Sequence, residues 1–353
     1  MNVCFLNPGG QNDPFFVLMR SFMIAAAKDL AIELEILDAD RSVNKLRNLG
    51  RDLVKRSKLP DYLVMTNEDN TAVELLPKAT AQGIKVLLIN EGLMAADRQT
   101  LGFPRQLHTE WLGELLPDDH LAGYQLACAL IEAAREKDLR GRDGKIHIEA
   151  IGGNFTISSL QRVGGLRKAV ALYDDVVIDE VVPGYWEQDR AYREMQRVLE
   201  QRSDLGVVWS ASDHMAIGAA RAAEEAGLKP GQNLLLGGID WASSALERVA
   251  DRSFTASVGG HFVEGGWAMI LLHDYHHGYD FGSSTLRSQM GLATASDAKE
   301  LLSTIRDQAW SAVDFKAGSK VHNPAVVDYS FDLTMIRHLI PSGSEAGAYA
   351  LSH

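Results

Sequence analysis

The sequence predicts an α/β protein of two lobes, each built on a parallel sheet, and three observations carry that prediction. Its 353 residues exceed the about 250 to 300 at which single hydrophobic cores stop growing. Short β-branched or Leu-rich runs alternate with longer amphipathic segments, as parallel strands alternate with crossover helices. The alternation restarts after about residue 140, so two sheets are expected rather than one.

In the first half the strand segments are NVCFLN (2–7), LEIL (34–37), YLVMT (62–66) and KVLLIN (85–90), with helical patterns at 14–31, 42–57 and 71–82. In the second half they are KIHIEAIG (145–152), VVIDEVV (176–182), GVVWS (206–210) and NLLLGGID (233–240), with helices at 158–173, 187–202 and 213–226. Local punctuation agrees. Asp13 suits a helix N-cap with Pro14 in the first turn, Gly227 suits a helix C-terminus ahead of Lys229-Pro230-Gly231, and Ser244 with Glu247 spells a capping box. With no interdomain linker in view, the lobes are expected to be joined by strands that cross directly between them.

Composition narrows the function classes. Hydrophobic residues at 46% and charged residues at 23% exclude disordered, collagen-like and coiled-coil chains. A net charge of −12 disfavours a phosphate backbone or an anionic membrane surface, so no nucleic-acid partner is expected. No apolar run approaches the about 18 residues that cross a bilayer, and the chain opens on a strand pattern without the features of a signal peptide, as a cytosolic or mature exported protein would. Cys4 and Cys128 lack CxxC or metal-ligand spacing and are expected to be buried. His273, His276 and His277 in HDYHHG read as a solvated helix end terminating at Gly278 rather than a metal site. Neither metal nor cofactor is expected.

Open α/β sheets bind ligands outside the carboxyl ends of their strands. Here those ends carry NPGGQNDPFF with Asp13, Phe15 and Phe16; then Asn90 and Glu91; then GGNFTISSLQR with Arg162; then PGYWEQDR with Trp186; then SASDHM; then GIDW with Asp240. Successive helical residues point roughly 100° apart, so Phe15 and Phe16 are not expected both to face the core, unless their packing only fixes the helix entry. Aromatic faces, carboxylates and one guanidinium suit a polyhydroxylated ring, whose C–H faces stack and whose hydroxyls take charge-assisted hydrogen bonds. Singly, Ser212 and Asp213 also read as helix caps, Trp186 as a packed surface aromatic, and Arg162 as a salt-bridged helix residue.

NDPFF (12–16), LPDDHLAGYQLA (116–127), LQRVGGLRKAV (160–170), SASDHMAIGAARAAEEAG (210–227), LLLGGID (234–240) and FTASVGG (254–260) resemble the ribose-binding and autoinducer-2-receptor group of type I periplasmic binding proteins. The resemblance spans roughly residues 1 to 290. It implies two Rossmann-like lobes joined by three crossing strands, near Pro117 to His120, at Ser257 to His261 and near 292. Lobe boundaries of 1–117 plus 261–292 and 118–260 plus 293–353 follow, with a ligand cleft between the lobes. By resemblance the stacking aromatics are Phe15, Phe16 and Trp186, and the hydroxyl-binding groups Asp13, Asn90, Arg162, Ser212 and Asp240. Asn90-Glu91 stands where the group's sugar binders often carry Asp-Arg, Gly260-His261 where they carry an amide, and Ser212 where Asn is frequent. Glu91 and His261 therefore join the expected ligand contacts, and a ligand other than a simple pentose or hexose is anticipated.

The implied function is a solute receptor that closes on a sugar, polyol or related signal. It would act as a monomer in the periplasm, in a mature form without its signal peptide, and feed an ABC permease or a membrane sensor kinase. Two other readings stand beside it. The effector core of a lactose-repressor-like regulator shares the fold but needs a helix-turn-helix module ahead of it, whereas the first strand here begins at residue 2. A sugar-modifying enzyme finds no GxGxxG, GxSxG, HExxH or GxxxxGK[ST], and no catalytic residue is assigned.

Overall fold

A computed structural model describes residues 1–202, 204–282, 285–333 and 336. The chain divides into two units. Met1–Pro117, His261–Gln289 and, of the described tail, residues 308–333 and 336 form the first; Asp118–Gly260 with Met290–Asp307 form the second.

The first unit opens with β1 (Asn2–Asn7), α1 (Phe16–Asp29), β2 (Glu33–Asp38), α2 (Val43–Leu53), β3 (Tyr62–Met65), α3 (Thr71–Ala81), β4 (Lys85–Ile89), α4 (Ala95–Leu101) and β5 (Trp111–Pro117). The second continues with α5 (Asp119–Glu136), β6 (Ile146–Gly152), α6 (Ile157–Val170), β7 (Val176–Pro183), α7 (Gln188–Gln201), β8 (Val207–Ser210), α8 (Asp213–Glu225), β9 (Leu235–Asp240), α9 (Ser243–Ala250) and β10 (Ala256–Gly259). The chain returns to the first unit for α10 (Glu264–His276) and β11 (Thr285–Ser288), then enters the second for β12 (Gly291–Ala293) and α11 (Ala298–Asp307). Each sheet has six strands, in the orders β11-β5-β4-β3-β1-β2 and β12-β10-β9-β8-β6-β7. Pairing is parallel throughout, except that β12 runs antiparallel to β10.

Strands covered on both faces read as unbroken apolar runs. YLVM of β3 and VLLI of β4 are buried at every position, and Leu63, Met65, Val86 and Leu88 share a core with Leu46 and Leu53 of α2 and Leu75 and Leu76 of α3. The sequence pattern did not flag β5. WLGELLP has no β-branched residue and carries Gly113 and Glu114, yet all seven residues are buried where β4 and β11 flank it. Pairing on both edges overrides weak strand propensity here.

Five expectations are corrected. Ser244 and Glu247 form no capping box: α9 begins after Ala242, whose N–H donates to the Asp213 carboxylate at 2.9 Å, while Glu247 pairs with Arg306. Residues 290–292 lie in the second unit rather than the first, because β12 pairs with β10. Residues 308–333 and 336 belong to the first unit rather than the second, while the rest of the expected 293–353 segment beyond 336 lies outside the described residues. Trp310 packs against Phe22 and Phe262 and donates to Ser21 Oγ at 2.9 Å, while buried Asp274 accepts from Ser319 Oγ (2.5 Å), Lys320 N (2.6 Å) and Tyr329 Oη (2.9 Å). That tail also covers the histidine segment. The His273 ring is buried and stacks on His322 at 5.1 Å, so only the end beyond Tyr275 is solvated. Of the two cysteines, Cys4 is fully buried, with its thiol pushed up to about 12 by burial, whereas Cys128 is half-buried.

Glycines let the helices of the second unit approach at backbone distance. A Cβ on Gly123 of α5 would lie 1.9 Å from the carbonyl oxygen of Arg162 on α6, and one on Gly165 would lie 2.0 Å from that of His120. No side chain there can swing away, since the obstructing atoms are backbone. Gly123→Ala and Gly165→Ala are expected to destabilise the protein by about 1–3 kcal/mol each, the usual cost of overpacking. Urea unfolding of the two variants checks this, and wild-type midpoints would refute it.

Candidate ligand-binding edges

In the first unit, the loop after β1 is held by Asp13. Its Oδ1 accepts from the amides of Phe15 (3.1 Å) and Phe16 (2.8 Å), so Asp13 caps the start of α1 as expected of it. Its Oδ2 receives Nε of Arg41 at 2.5 Å. Arg41 comes from the turn after β2, reaches Glu68 at 3.3 Å through Nη1, and lies 4.9 Å from the centre of the Phe16 ring. Neither Phe15 nor Phe16 overhangs as an exposed ring; both are buried. Phe16 lies against the backbone of Gly9, where a Cβ would fall 2.6 Å from Phe16 Cβ, and Phe15 stacks on His261 at 4.4 Å. The two rings pack edge to face at 5.1 Å, which lets adjacent residues be buried together. At the end of β4, Asn90 adopts a left-handed φ of +65° and donates its N–H to Leu115 O at 3.0 Å. Glu91 is buried, and its carbonyl accepts from Asn67 N at 3.1 Å.

In the second unit, Arg162 is the centre. Its side chain is 5% exposed, and it donates through Nε to Asp119 Oδ1 at 2.7 Å and through Nη1 to Ala211 O at 2.7 Å and Asp240 Oδ1 at 3.2 Å. Trp186 lies beside it, 5.7 Å from guanidinium to ring centre. The indole is laid on the backbone of Gly153, where a Cβ would meet Cζ2 at 2.2 Å, and its Nε1 donates to Asn154 Oδ1 at 2.8 Å. Ser212 Oγ accepts from Met215 N at 3.3 Å and so caps α8, while its O–H keeps its donor capacity.

Asp213 is wholly buried and accepts from Ala242 N and from Ser257 Oγ, each at 2.9 Å. Burial, reinforced by the neighbouring Asp240 charge, pushes its carboxyl up to about 8 against those two donors.

Backbone strain occurs at the same edges, as it does at several turns elsewhere in the described residues. Tyr185 (φ +54°), Trp186 (+63°), Asp240 (+134°) and Trp241 (+58°) all take left-handed values in the second unit, as Asp40 (+51°), Arg41 (+61°) and Asn90 (+65°) do in the first. Such conformations cost about 1–3 kcal/mol each in non-glycine residues and concentrate at functional sites.

The structure therefore gathers Arg162, Asp240 and Trp186 in one unit, and Asp13, Phe15, Phe16 and His261 in the other. Asn90 and Glu91 sit together at the end of β4, and Ser212 beside Ala211. The sequence pattern missed Arg41, Glu68, Asp119 and Asn154. Asp119 stood in the PDDH of the first crossing, and Arg41 in the charged run DADR, where nothing local separated it from a solvated turn.

Residues 3–276 match the family model of the periplasmic binding protein domain. The chain belongs to that family. It is similar to a periplasmic sugar-binding protein from Pseudomonas fluorescens, whose solved structure has 33% sequence identity and a TM-score of 0.85, covering 95% of this chain and 99% of that one. It is 23% identical over 70% of its length to the ribose import binding protein of Bacillus subtilis (strain 168), covering 72% of that protein. It is 22% identical over 72% of its length to the D-apiose import binding protein of Paraburkholderia graminis, covering 74%. The chain is accordingly a solute-binding protein rather than an enzyme. Among the described residues no helix is long and apolar enough to cross a membrane.

The Asp213 carboxyl titrates above the about 3.9 of an unfolded Asp, so folding favours its protonated form. The resulting stability is fully present below pH of about 4 and is lost as pH rises towards about 8. Wild type is expected to weaken relative to Asp213→Asn across that window, by up to about 1.4 kcal/mol per pH unit. Chemical unfolding of both proteins at pH 5, 6, 7 and 8 measures it; parallel stability curves would contradict the assignment.

Proposed function

We propose that this protein is the periplasmic sugar receptor of an ABC importer, taking a neutral or amine-bearing polyhydroxylated ring with groups from both units and closing on it as a monomer. The observation that carries the ligand class is the Arg162 cluster. A guanidinium already matched by two carboxylates offers no unmet positive charge to an anion, while Asp240 and Asp119 accept readily from hydroxyls or an ammonium group. Beside it, the indole of Trp186 supplies an apolar face for the C–H side of a sugar. The proposed contacts are Arg162, Asp240, Trp186 and Ser212 from the second unit, and Phe15, Phe16, Asn90, Glu91 and His261 from the first; Asp13, whose carboxylate is taken up by two amides and Arg41, holds the loop behind them.

The names of the curated relatives, import binding proteins for ribose and D-apiose, support a sugar ligand and an import output over a membrane sensor kinase. Asn90-Glu91 in place of Asp-Arg, and His261 in place of an amide, support a ligand different from theirs.

Two measurements test the reading. Calorimetry against the neutral, amino and acid forms of one sugar skeleton is expected to rank the acid form last; tightest binding by the acid would overturn the charge argument. Trp186→Ala is expected to lose about 1–3 kcal/mol of affinity, in line with other buried aromatic anchors, and wild-type tryptophan fluorescence to change on binding. An affinity unmoved by the substitution would remove Trp186 from the site.

A further inference from the structure

The carboxylate expected to bind a ligand hydroxyl in the first unit is already engaged. Asp13 accepts from two backbone amides on Oδ1 and from Arg41 on Oδ2, which takes three of the about four acceptor positions of a carboxylate. Its side chain is only 7% exposed, whereas that of Arg41 is 41% exposed. The outward-facing polar group at this corner is the guanidinium.

Arg41 is also held in place before any ligand arrives. Ala39 N donates to Asn7 O (2.9 Å), Asp40 N to Gly9 O (2.8 Å) and Arg41 N to Pro8 O (2.8 Å), so the turn after β2 is stitched to the loop after β1. Those bonds hold Asp40 and Arg41 in consecutive left-handed conformations. Asp13 and Glu68 then grip the guanidinium from two sides, with the Phe16 ring 4.9 Å away. A solvated surface arginine needs none of this; a donor fork fixed for recognition needs all of it.

Resting on the sugar-receptor reading, we propose that Arg41, rather than Asp13, is the residue with which the first unit reads the ligand. It donates to a pair of neighbouring sugar oxygens, and Asp13 and Glu68 act as positioning residues that hold the fork. The charge around it sets the class of oxygen. Asp13 already pairs the guanidinium, and burial pushes the nearby Glu68 carboxyl up, so the fork carries little unmet positive charge; a hydroxyl or ring oxygen fits it better than a carboxylate or phosphate.

The test is calorimetry on wild type, Arg41→Gln, Arg41→Lys and Asp13→Asn, with the tightest wild-type binder among D-ribose, D-apiose, L-arabinose, D-galactose, D-galactosamine and myo-inositol, and with the singly deoxygenated forms of that ligand. Arg41→Gln is expected to weaken binding at least tenfold, Arg41→Lys by an intermediate factor because it keeps the charge but loses the fork, and Asp13→Asn less than Arg41→Gln because Asn still caps α1. Wild type is expected to reject one deoxy form more strongly than Arg41→Gln does, a loss of discrimination that a purely structural arginine would not produce. If Arg41→Gln fails to fold, the comparison of wild type with Arg41→Lys carries the test. Wild-type affinity and unchanged discrimination in the Arg41 variants would overturn this inference alone. Failure of all six ligands, the amino sugar and the polyol included, to bind wild type would overturn the sugar-receptor reading and this inference with it.

Discussion

The buried guanidinium of Arg162 is the interaction on which the second unit's binding edge depends. It reaches Asp119 at the start of α5, the Ala211 carbonyl just past β8 and Asp240 at the end of β9, so one side chain fixes the relative positions of three separate segments. Removing a charged group from water is costly unless it is paired and hydrogen-bonded, and here the geometry supplies both. The same arrangement propagates. Asp240 raises the cost of ionising Asp213, whose carboxylate oxygens hold the start of α9 and the Ser257 hydroxyl. Arg162 can occupy this place only because α6 lies on α5 at backbone distance through Gly123 and Gly165.

Strain and order belong together at these edges. Trp186 sits in a left-handed conformation that an aromatic residue adopts at a cost, and it stays there because its ring is pressed on Gly153 and its Nε1 is bonded to Asn154. Trp241 is similarly left-handed, fully buried and bonded to the Ser257 carbonyl at 3.2 Å. A receptor gains from side chains ordered in advance, since freezing them on binding would subtract from affinity.

The first unit uses a different device. Its edge is organised by loops bonded to loops, 7–9 against 39–41, and by an aromatic nest of Phe15, Phe16 and His261. The tail from Gln308 is locked on the same unit by Trp310 and by the donors around Asp274. Burying a carboxylate beneath five donors from the described residues is a strong local anchor, and although burial opposes it, hydrogen bonding to the charged form holds Asp274 below the usual carboxylate range.

Periodicity by itself determined the two-sheet α/β architecture, eight of the strands, and which side chains stand at strand ends, because those are properties of neighbouring residues. Gly227 (φ +82°), the Ser212 cap and the strand-end positions of Asp240 and Trp186 were legible for the same reason. Tertiary structure alone decided the partners. Asp13 and Arg41 are 28 residues apart, Arg162 and Asp119 43, and Arg162 and Asp240 78, so each meeting depends on sheet order rather than local pattern. It also decided that WLGELLP is a central strand, that two adjacent phenylalanines are both buried, and that the tail joins the first unit. In each case the deciding energy is burial or pairing against a segment distant in sequence, which no window of neighbouring residues contains.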